Sequence, residues 1–364
     1  GNTAVGAAAM AAGVVTGNYN VAVGETSGYD LTSGVNNTLL GAYAGQNVTT
    51  ANKLVFIGAN AGDAVTVTNT DNVSDGTVGV GFEALKLLTS GAGNTAIGYS
   101  ALAALTTGAK NLGLGYDALG DVALGETGNV AIGHSAMSLM DEGNSSNIDW
   151  NIAIGFEALK GHDKGTNAGE ITDNIAIGYR ALGHADFADS TNPQIGTIGI
   201  GTSALGALTS GVSNIAIGYT AGKEEESSIG NTIIGHEALY RGGGHANHRN
   251  TFVGHTCANG DWGGASSYNT GIGSGAFQGT MNGADHNVAV GLEACNAITS
   301  GSRNVTLGNY AGNAITTGSR NTLIGHEADV DTNTDSYHVR LGHYGGVKYA
   351  TARVTLDNSY TGTP

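Results

Sequence analysis

The chain is poor in charge, aromatic rings, proline and cysteine. Of 364 residues, 12% are charged and 6% aromatic, with two prolines and two cysteines. A cytosolic enzyme is normally richer in charge. Basic residues are scarcer than acidic ones, 14 against 30, for a formal charge of −16. No basic run or stripe is visible along the sequence, which argues against binding a nucleic-acid backbone. No apolar run reaches the length of a membrane span, and no signal peptide opens the chain. The sequence starts inside a repeat, at Gly1-Asn2, so a preceding segment is expected. There is no nucleophile elbow, no phosphate-binding loop and no carboxylate pair fixed by the repeat, so catalysis has no clear foothold. Little Lys, much Thr, Asn and Gly, and few Cys suit an extracellular or virion-surface protein.

Glycine, by contrast, is abundant, with 62 residues. It recurs in the phrase Asn-x-x-aliphatic-Gly, which closes at Gly6, Gly24, Gly41, Gly58, Gly81, Gly98, Gly115, Gly133, Gly155, Gly178, Gly201, Gly218, Gly235, Gly254, Gly273, Gly291, Gly308, Gly325 and Gly342. The commonest spacing among these nineteen copies is 17 residues. A fixed period of this size denotes a solenoid, each unit burying its apolar face against its neighbours. The expected fold is all-β: a stacked β-solenoid of about 19 coils over residues 1–342, a rod of roughly 90 Å at the usual strand spacing. Residues 343–364 form an extension outside the repeat, readable as the stump of a cleaved chaperone.

Within each unit the residue before the glycine is aliphatic, as at Ile97 and Ile177, and the residue two before that is nearly always Val, Ile or Thr. Alternate strand positions share a face, so these two are expected to point inward. The small residue between them, Ala96 or Ala176, is expected on a second close-packed face, with Arg340 the one long polar exception. Three residues after the glycine comes a small residue, such as Ala101, then often Leu; this pair reads as a second short strand. Asn94, Asn174 and their equivalents suit a turn and an amide ladder between coils. The conformational freedom of Gly98 and Gly178 suits the corner. Cys257 and Cys295 lie two units apart at different repeat phases, and read as buried thiols rather than a disulfide. The residue after the glycine is aromatic or His in Phe82, Tyr99, Tyr116, His134, Phe156, Tyr179, Tyr219, His236 and His255. In-register coils would stack these rings into a ladder, suited to packing or a subunit interface more than to a receptor groove.

Enlarged corners interrupt the period at 63–76, 141–150, 161–173, 183–194, 241–249 and 259–267. Three of them occupy successive units, and binding residues favour loops carried by a rigid scaffold. They supply the receptor-contacting candidates Trp150, Asp141, Asp149, His162, Asp163, Asp186 and Trp262; the alternative for each tryptophan is to anchor its own loop. Negative charge and aromatic content there favour a neutral or cation-bridged glycan. Oxygen ligands at Asp141, Glu142, Asp149, Asp163, Glu170, Asp173, Asp186 and Asp189 raise Ca²⁺ as a cofactor, although no complete calcium loop is present. His236, His245, His248 and His255, on adjacent units, raise a transition metal, and His326 would stack on His343.

The unit Asn94-Thr95-Ala96-Ile97-Gly98-Tyr99-Ser100-Ala101-Leu102, running to Gly108, resembles the shaft repeats of bacteriophage tail fibres. It also resembles the head repeats of trimeric autotransporter adhesins (the YadA-like head), although these are shorter and more uniform. The resemblance covers roughly residues 1–342. It implies a left-handed parallel β-roll, three parallel chains side by side and attachment to a host or surface receptor, with a cell-surface adhesin head as the alternative and a polysaccharide-degrading tail spike as a third reading. One roll has a thin core, so association is expected, through the Ala/Gly strand face or the aromatic ladder. Thr at Thr3, Thr38, Thr95, Thr232, Thr251, Thr270 and Thr322 raises ice binding, disfavoured by a discontinuous array and by inward-pointing side chains.

Overall fold

The computed structural model describes residues 1–65, 75–123, 125–138, 147–161, 170–183 and 194–342. Three-residue strands, from Thr3–Val5 to Val339–Leu341, stack into one 19-stranded sheet. Every pairing is parallel and joins the same repeat position of successive units, as in Ala153↔Ala176 and Ile154↔Ile177. The repeat therefore is the coil: one turn of chain advances the rod by one strand. Among the described residues no helix is long and apolar enough to cross a membrane.

The strand faces are the reverse of the expected ones. The middle residue of each three is the inward one: Ala96, Ala131, Ala153, Ala176 and Ala216 are fully buried. Its neighbours lie outside; Ile97 is 40% exposed, and Ile177 is half-buried. The cause is the narrowness of the coil. Strand and turn walls lie so close that the inward position holds Ala or Gly in most coils. A large residue there requires a missing side chain nearby. Phe56 is followed one coil on by Gly79, where a Cβ would sit 2.9 Å from the Phe56 ring. Phe252 pairs likewise with Gly271, at 3.0 Å. In the last strand Arg340 occupies this position half-buried and pairs with Asp331 at 2.8 Å.

The opposite wall is a turn, not the second strand expected from the small-then-large pair. Its two alternate residues take left-handed backbone conformations, as at Ser100 (φ 51°) and Leu102 (φ 54°). That conformation costs a non-glycine residue roughly 1–2 kcal/mol. Leu102, Leu119, Leu159, Leu182 and Leu205 accept it and are fully buried; burying a Leu returns about 1.5–3 kcal/mol. Ala101 and its equivalents complete this wall, fully buried. The closing glycine is required by both shape and space. Gly178 has φ 132°, and a Cβ there would lie 2.7 Å from the Gly201 carbonyl oxygen of the next coil.

The asparagines form buried ladders along the rod. Asn94 Oδ1 accepts the Asn111 backbone N–H at 2.9 Å, and Asn94 Nδ2 donates to the Gly108 carbonyl at 2.7 Å. The pattern continues through Asn129 and Asn151 to Asn174, which accepts from the Thr197 N–H. A second run joins Asn214 to Asn321 through Asn231, Asn250, Asn269, Asn287 and Asn304. Each amide thus satisfies a backbone donor and a backbone acceptor that the narrow coil withholds from water.

Candidate functional site

Because coils repeat in register, each repeat position becomes a column along the rod, and the outer strand positions make two aliphatic columns. One runs Thr3, Val21, Thr38 and onward to Val339; the other runs Val5, Val23, Leu40 and onward to Leu341. All 38 residues of these two columns (19 strands, two each) are Thr, Val, Ile or Leu, so the face carries no charge. The seven threonines weighed for ice binding belong to the first column and face outward, not inward.

Beside this face runs the aromatic column. Phe82, Tyr99, Tyr116, His134, Phe156 and Tyr179 stack with ring centroids 4.9–5.4 Å apart. Thr202 interrupts the column, and Tyr219, His236 and His255 resume it at 5.1 and 5.2 Å. Arg180 lies 5.2 Å from the Tyr179 ring centroid and reaches back to Glu157 at 2.6 Å, which also binds Lys160 at 2.7 Å. Burial works to raise the Glu157 carboxyl, but the hydrogen bonds from Lys160 and Arg180 outweigh it and hold the group below its ordinary value.

The enlarged corners of three successive coils end in their own small parallel sheet, Ile148–Asp149, Ile171–Thr172 and Gln194–Ile195. Within it the side chains of Ile148 and Ile171 are buried. Asp149 is taken up locally, its Oδ1 accepting the Thr127 N–H at 2.6 Å. Trp150 is 56% exposed and lies over Gly128, where a Cβ would come 2.9 Å from Cδ2 of the ring. Trp262 is different: it is 2% exposed and packs edge-on to Phe252 at 5.8 Å, so it fills the core and is no receptor platform. Asp141, Glu142, His162, Asp163, Asp186, Asp189 and His343 lie outside the described residues.

Among the described residues the histidines do not converge. His236 and His255 stack face to face in the aromatic column, 16° from parallel. His248 belongs to another column; its Nδ1 accepts the Ile229 N–H at 3.1 Å, and burial and Arg249 lower its affinity for a proton. His245 stands half-buried in the corner beside Gly243. Among the described residues no group of three or more His, Cys, Asp or Glu could hold a metal ion. Cys257 and Cys295 are buried free thiols, each pushed up to about 12 by burial.

Two arrangements escaped the sequence reading. Glu225 occupies a core position that holds Leu208 one coil earlier, and is wholly buried. Its carboxylate accepts from the Ser228 hydroxyl and from Asn247 Nδ2, the latter at 3.0 Å, and burial raises it to about 7. The second is a column of exposed Arg249, Tyr268, His286, Arg303, Arg320 and Tyr337 on consecutive coils. It is the basic stripe that the linear sequence conceals, since its members stand 17 to 19 residues apart. The available signal was the residue preceding Asn in each repeat. No protein-family model matches this chain, and no curated protein matches it.

Proposed function

We propose that this chain is the shaft of an extracellular fibre, in which three copies lie side by side and attach to a host or surface receptor, as in the bacteriophage tail fibres whose repeats it resembles. The role is structural and adhesive, without catalysis. The observation that carries the reading is the uncharged aliphatic face running the length of the rod. Two columns about 7 Å apart over roughly 90 Å make a patch on the order of 600 Å². Soluble monomers rarely leave so large a contiguous apolar surface bare. With the neighbouring aromatic column the area approaches the ~800 Å² per partner of a specific interface. The Ala/Gly strand face, one of the two contacts expected from the sequence, lines the interior of the coil and is unavailable. A second copy offers the matching uncharged ladder along the same length.

Sedimentation of the full chain at micromolar concentration should give a three-chain species. Ile177→Asp with Ile200→Asp, adjacent in the outer column, should give single chains that retain strand circular dichroism. A well-ordered monomer of the unaltered chain would overturn the assembly. Labelled fibre that is not retained by bacterial envelopes or other cell surfaces would remove attachment.

A further inference from the structure

We propose that Arg249, Tyr268, His286, Arg303, Arg320 and Tyr337 form a binding track for a linear anionic polysaccharide. This deepens the attachment reading by naming a ligand class, and rests on it in that respect. The track itself requires only the coil stack and not the three-chain assembly.

The first argument is registration. Six consecutive coils place one exposed side chain each in the same column. Backbone bonds lock the spacing: Tyr268 N–H donates to His248 O, His286 to Ser267 O, Arg303 to Asp285 O, Arg320 to Ser302 O and Tyr337 to Ser319 O, all at 3.0–3.1 Å. The rungs therefore recur about every 4.8 Å, a step close to one sugar unit of an extended glycan.

The second argument is that folding does not ask for these residues. All six have left-handed φ, between 55° and 64°. The same column holds Gly76, Gly93, Gly128, Gly196 and Gly230 in other coils and the exposed Tyr19, Asn36, Lys53, Lys110, Trp150, Asp173 and Ser213, all left-handed, so the fold accepts many residue types there. A non-glycine residue in this conformation costs roughly 1–2 kcal/mol. Buried Leu102 recovers that cost in the core, but these six side chains are exposed and bury little. Since the fold leaves the choice open, the run of Arg, Tyr and His over six successive coils at one end of the rod is a property of the surface and not of the backbone.

The third argument is chemistry. Arg249 lies 5.6 Å from the Tyr268 ring centroid and its Nη1 donates to the Tyr268 hydroxyl at 2.8 Å. Arg320 repeats the arrangement 5.1 Å from Tyr337, again bonding the hydroxyl. Tyr268 and His286 stack at 4.8 Å. All six side chains are exposed, so the track offers guanidinium N–H, tyrosyl O–H and imidazole nitrogen as hydrogen-bonding groups along the rod. Each tyrosyl oxygen already accepts from an arginine, leaving its proton for the ligand. Guanidinium groups match carboxylate and sulfate oxygens in a two-pronged fashion. Three of the chain's seven arginines stand in this column. Its acidic neighbour Asp285 turns to the backbone, accepting the Ser267 N–H at 2.7 Å. Asp335 is held by Thr332, at 2.7 Å from its N–H and 2.6 Å from its hydroxyl, and Asp331 by Arg340 at 2.8 Å. The overall charge of −16 disfavours the dense phosphate of nucleic acid and leaves a sparser polyanion as the fitting partner. Like-charged arginine columns would repel one another at a subunit contact, which keeps the track on the outside of an assembly.

The test uses the full chain with polygalacturonate as the carboxylated probe, chondroitin 4-sulfate as the sulfated one, neutral dextran and single-stranded poly(dT), by calorimetry at low and moderate salt. Binding to at least one acidic glycan, weakening with salt, with none to dextran, is expected. The triple variant R249G/R303G/R320G should lose ten-fold or more in affinity. Glycine suits this backbone, so the variant should keep its strand circular dichroism and its sedimentation. A control, K53G/K110G, changes isolated lysines of the same column and should bind as the unaltered chain does. No binding to either acidic glycan, equal affinity in the triple variant, or tighter binding to poly(dT) would each overturn the proposal. Sedimentation reports separately on the fibre assembly, so failure of the track and failure of the shaft are told apart.

Discussion

Glu225 should make the rod less stable as the pH rises from the acid range towards 8. Its side chain is sealed in the core, where the charged form meets two hydrogen-bond donors, Ser228 and Asn247, and no cation. Burial is the largest influence, and Glu226 adds repulsion, so the folded-state value of about 7 stands above the 4.5 of a free carboxyl. The folded chain therefore binds the proton more tightly than the unfolded chain. Stability from this group is fully present below about 4.5 and is lost as pH climbs through about 7. The displacement, 7 − 4.5 = 2.5 units, corresponds to roughly 3 kcal/mol at 1.36 kcal/mol per unit. About three-quarters of that falls between pH 5 and 8. Any other pH-dependent contribution is shared by both proteins when the comparison is with Glu225→Gln, which keeps size and hydrogen bonding but cannot ionise; the Ser228 hydroxyl can rotate to accept from the new amide. Guanidinium unfolding at pH 5 and 8 should show the Gln variant gaining on the unaltered chain by about 2–3 kcal/mol over that interval. Parallel pH dependence of the two proteins would refute a neutral buried carboxyl.

Three further outcomes follow from the interior and its ladders. Ala176→Leu should cost about 1–3 kcal/mol by overfilling a sealed position, whereas Ile177→Leu on the outer column should fall within about 0.5 kcal/mol; chemical denaturation compares them, and equal losses would mean that the faces are assigned the wrong way round. Asn174→Ala should cost about 3 kcal/mol, because the Thr197 N–H and the Gln194 carbonyl, at 2.9 Å each from the amide, lose their partner in a site closed to water; hydrogen exchange should speed up at Thr197. Trp262→Ala should destabilise by about 3–5 kcal/mol, and Trp150→Ala by less than about 1 kcal/mol, read from their unfolding midpoints.

The period made the coil legible because it records what every turn of the rod must satisfy. A glycine must pass under the next glycine, and an asparagine must close two backbone gaps. Which face of the strand points inward was hidden, since alternation identifies two faces without saying which is inside. Ordinary experience places Ile and Val within and Ala without. Here the coil is too narrow for that, and the sequence did carry a hint: Phe56 is followed in the next unit by Gly79, and Phe252 by Gly271, which gives each ring room beside it on the neighbouring strand. The turn was hidden for a different reason. Local rules reserve left-handed backbone for Gly or Asn, yet Leu102 and its equivalents occupy it because burial outweighs the strain.

The same inversion bears on function. With the aliphatic columns outside, the threonines are outside too, and orientation no longer argues against ice binding. Composition along the column does. Thr232, Thr251 and Thr270 follow one another on paired strands, but Val288 and Val305 come next, and the companion column is Ile, Val or Leu throughout. A surface that orders water needs a regular lattice of hydroxyls, whereas a surface that meets another chain needs only uncharged, β-branched relief that packs closely. Along a rod, a chemical property belongs to a column of residues about 17 apart, and net charge or motif spacing read along the chain averages it away. An acidic chain can thus carry a basic track, and a polar sequence an apolar face. The two differ in how far the coil dictates them. The aliphatic columns keep one residue class in every coil and agree with assembly, while the column of Arg249 and Tyr268 admits Gly, Lys, Asp or Trp elsewhere, so its run of Arg, Tyr and His is not dictated by the coil.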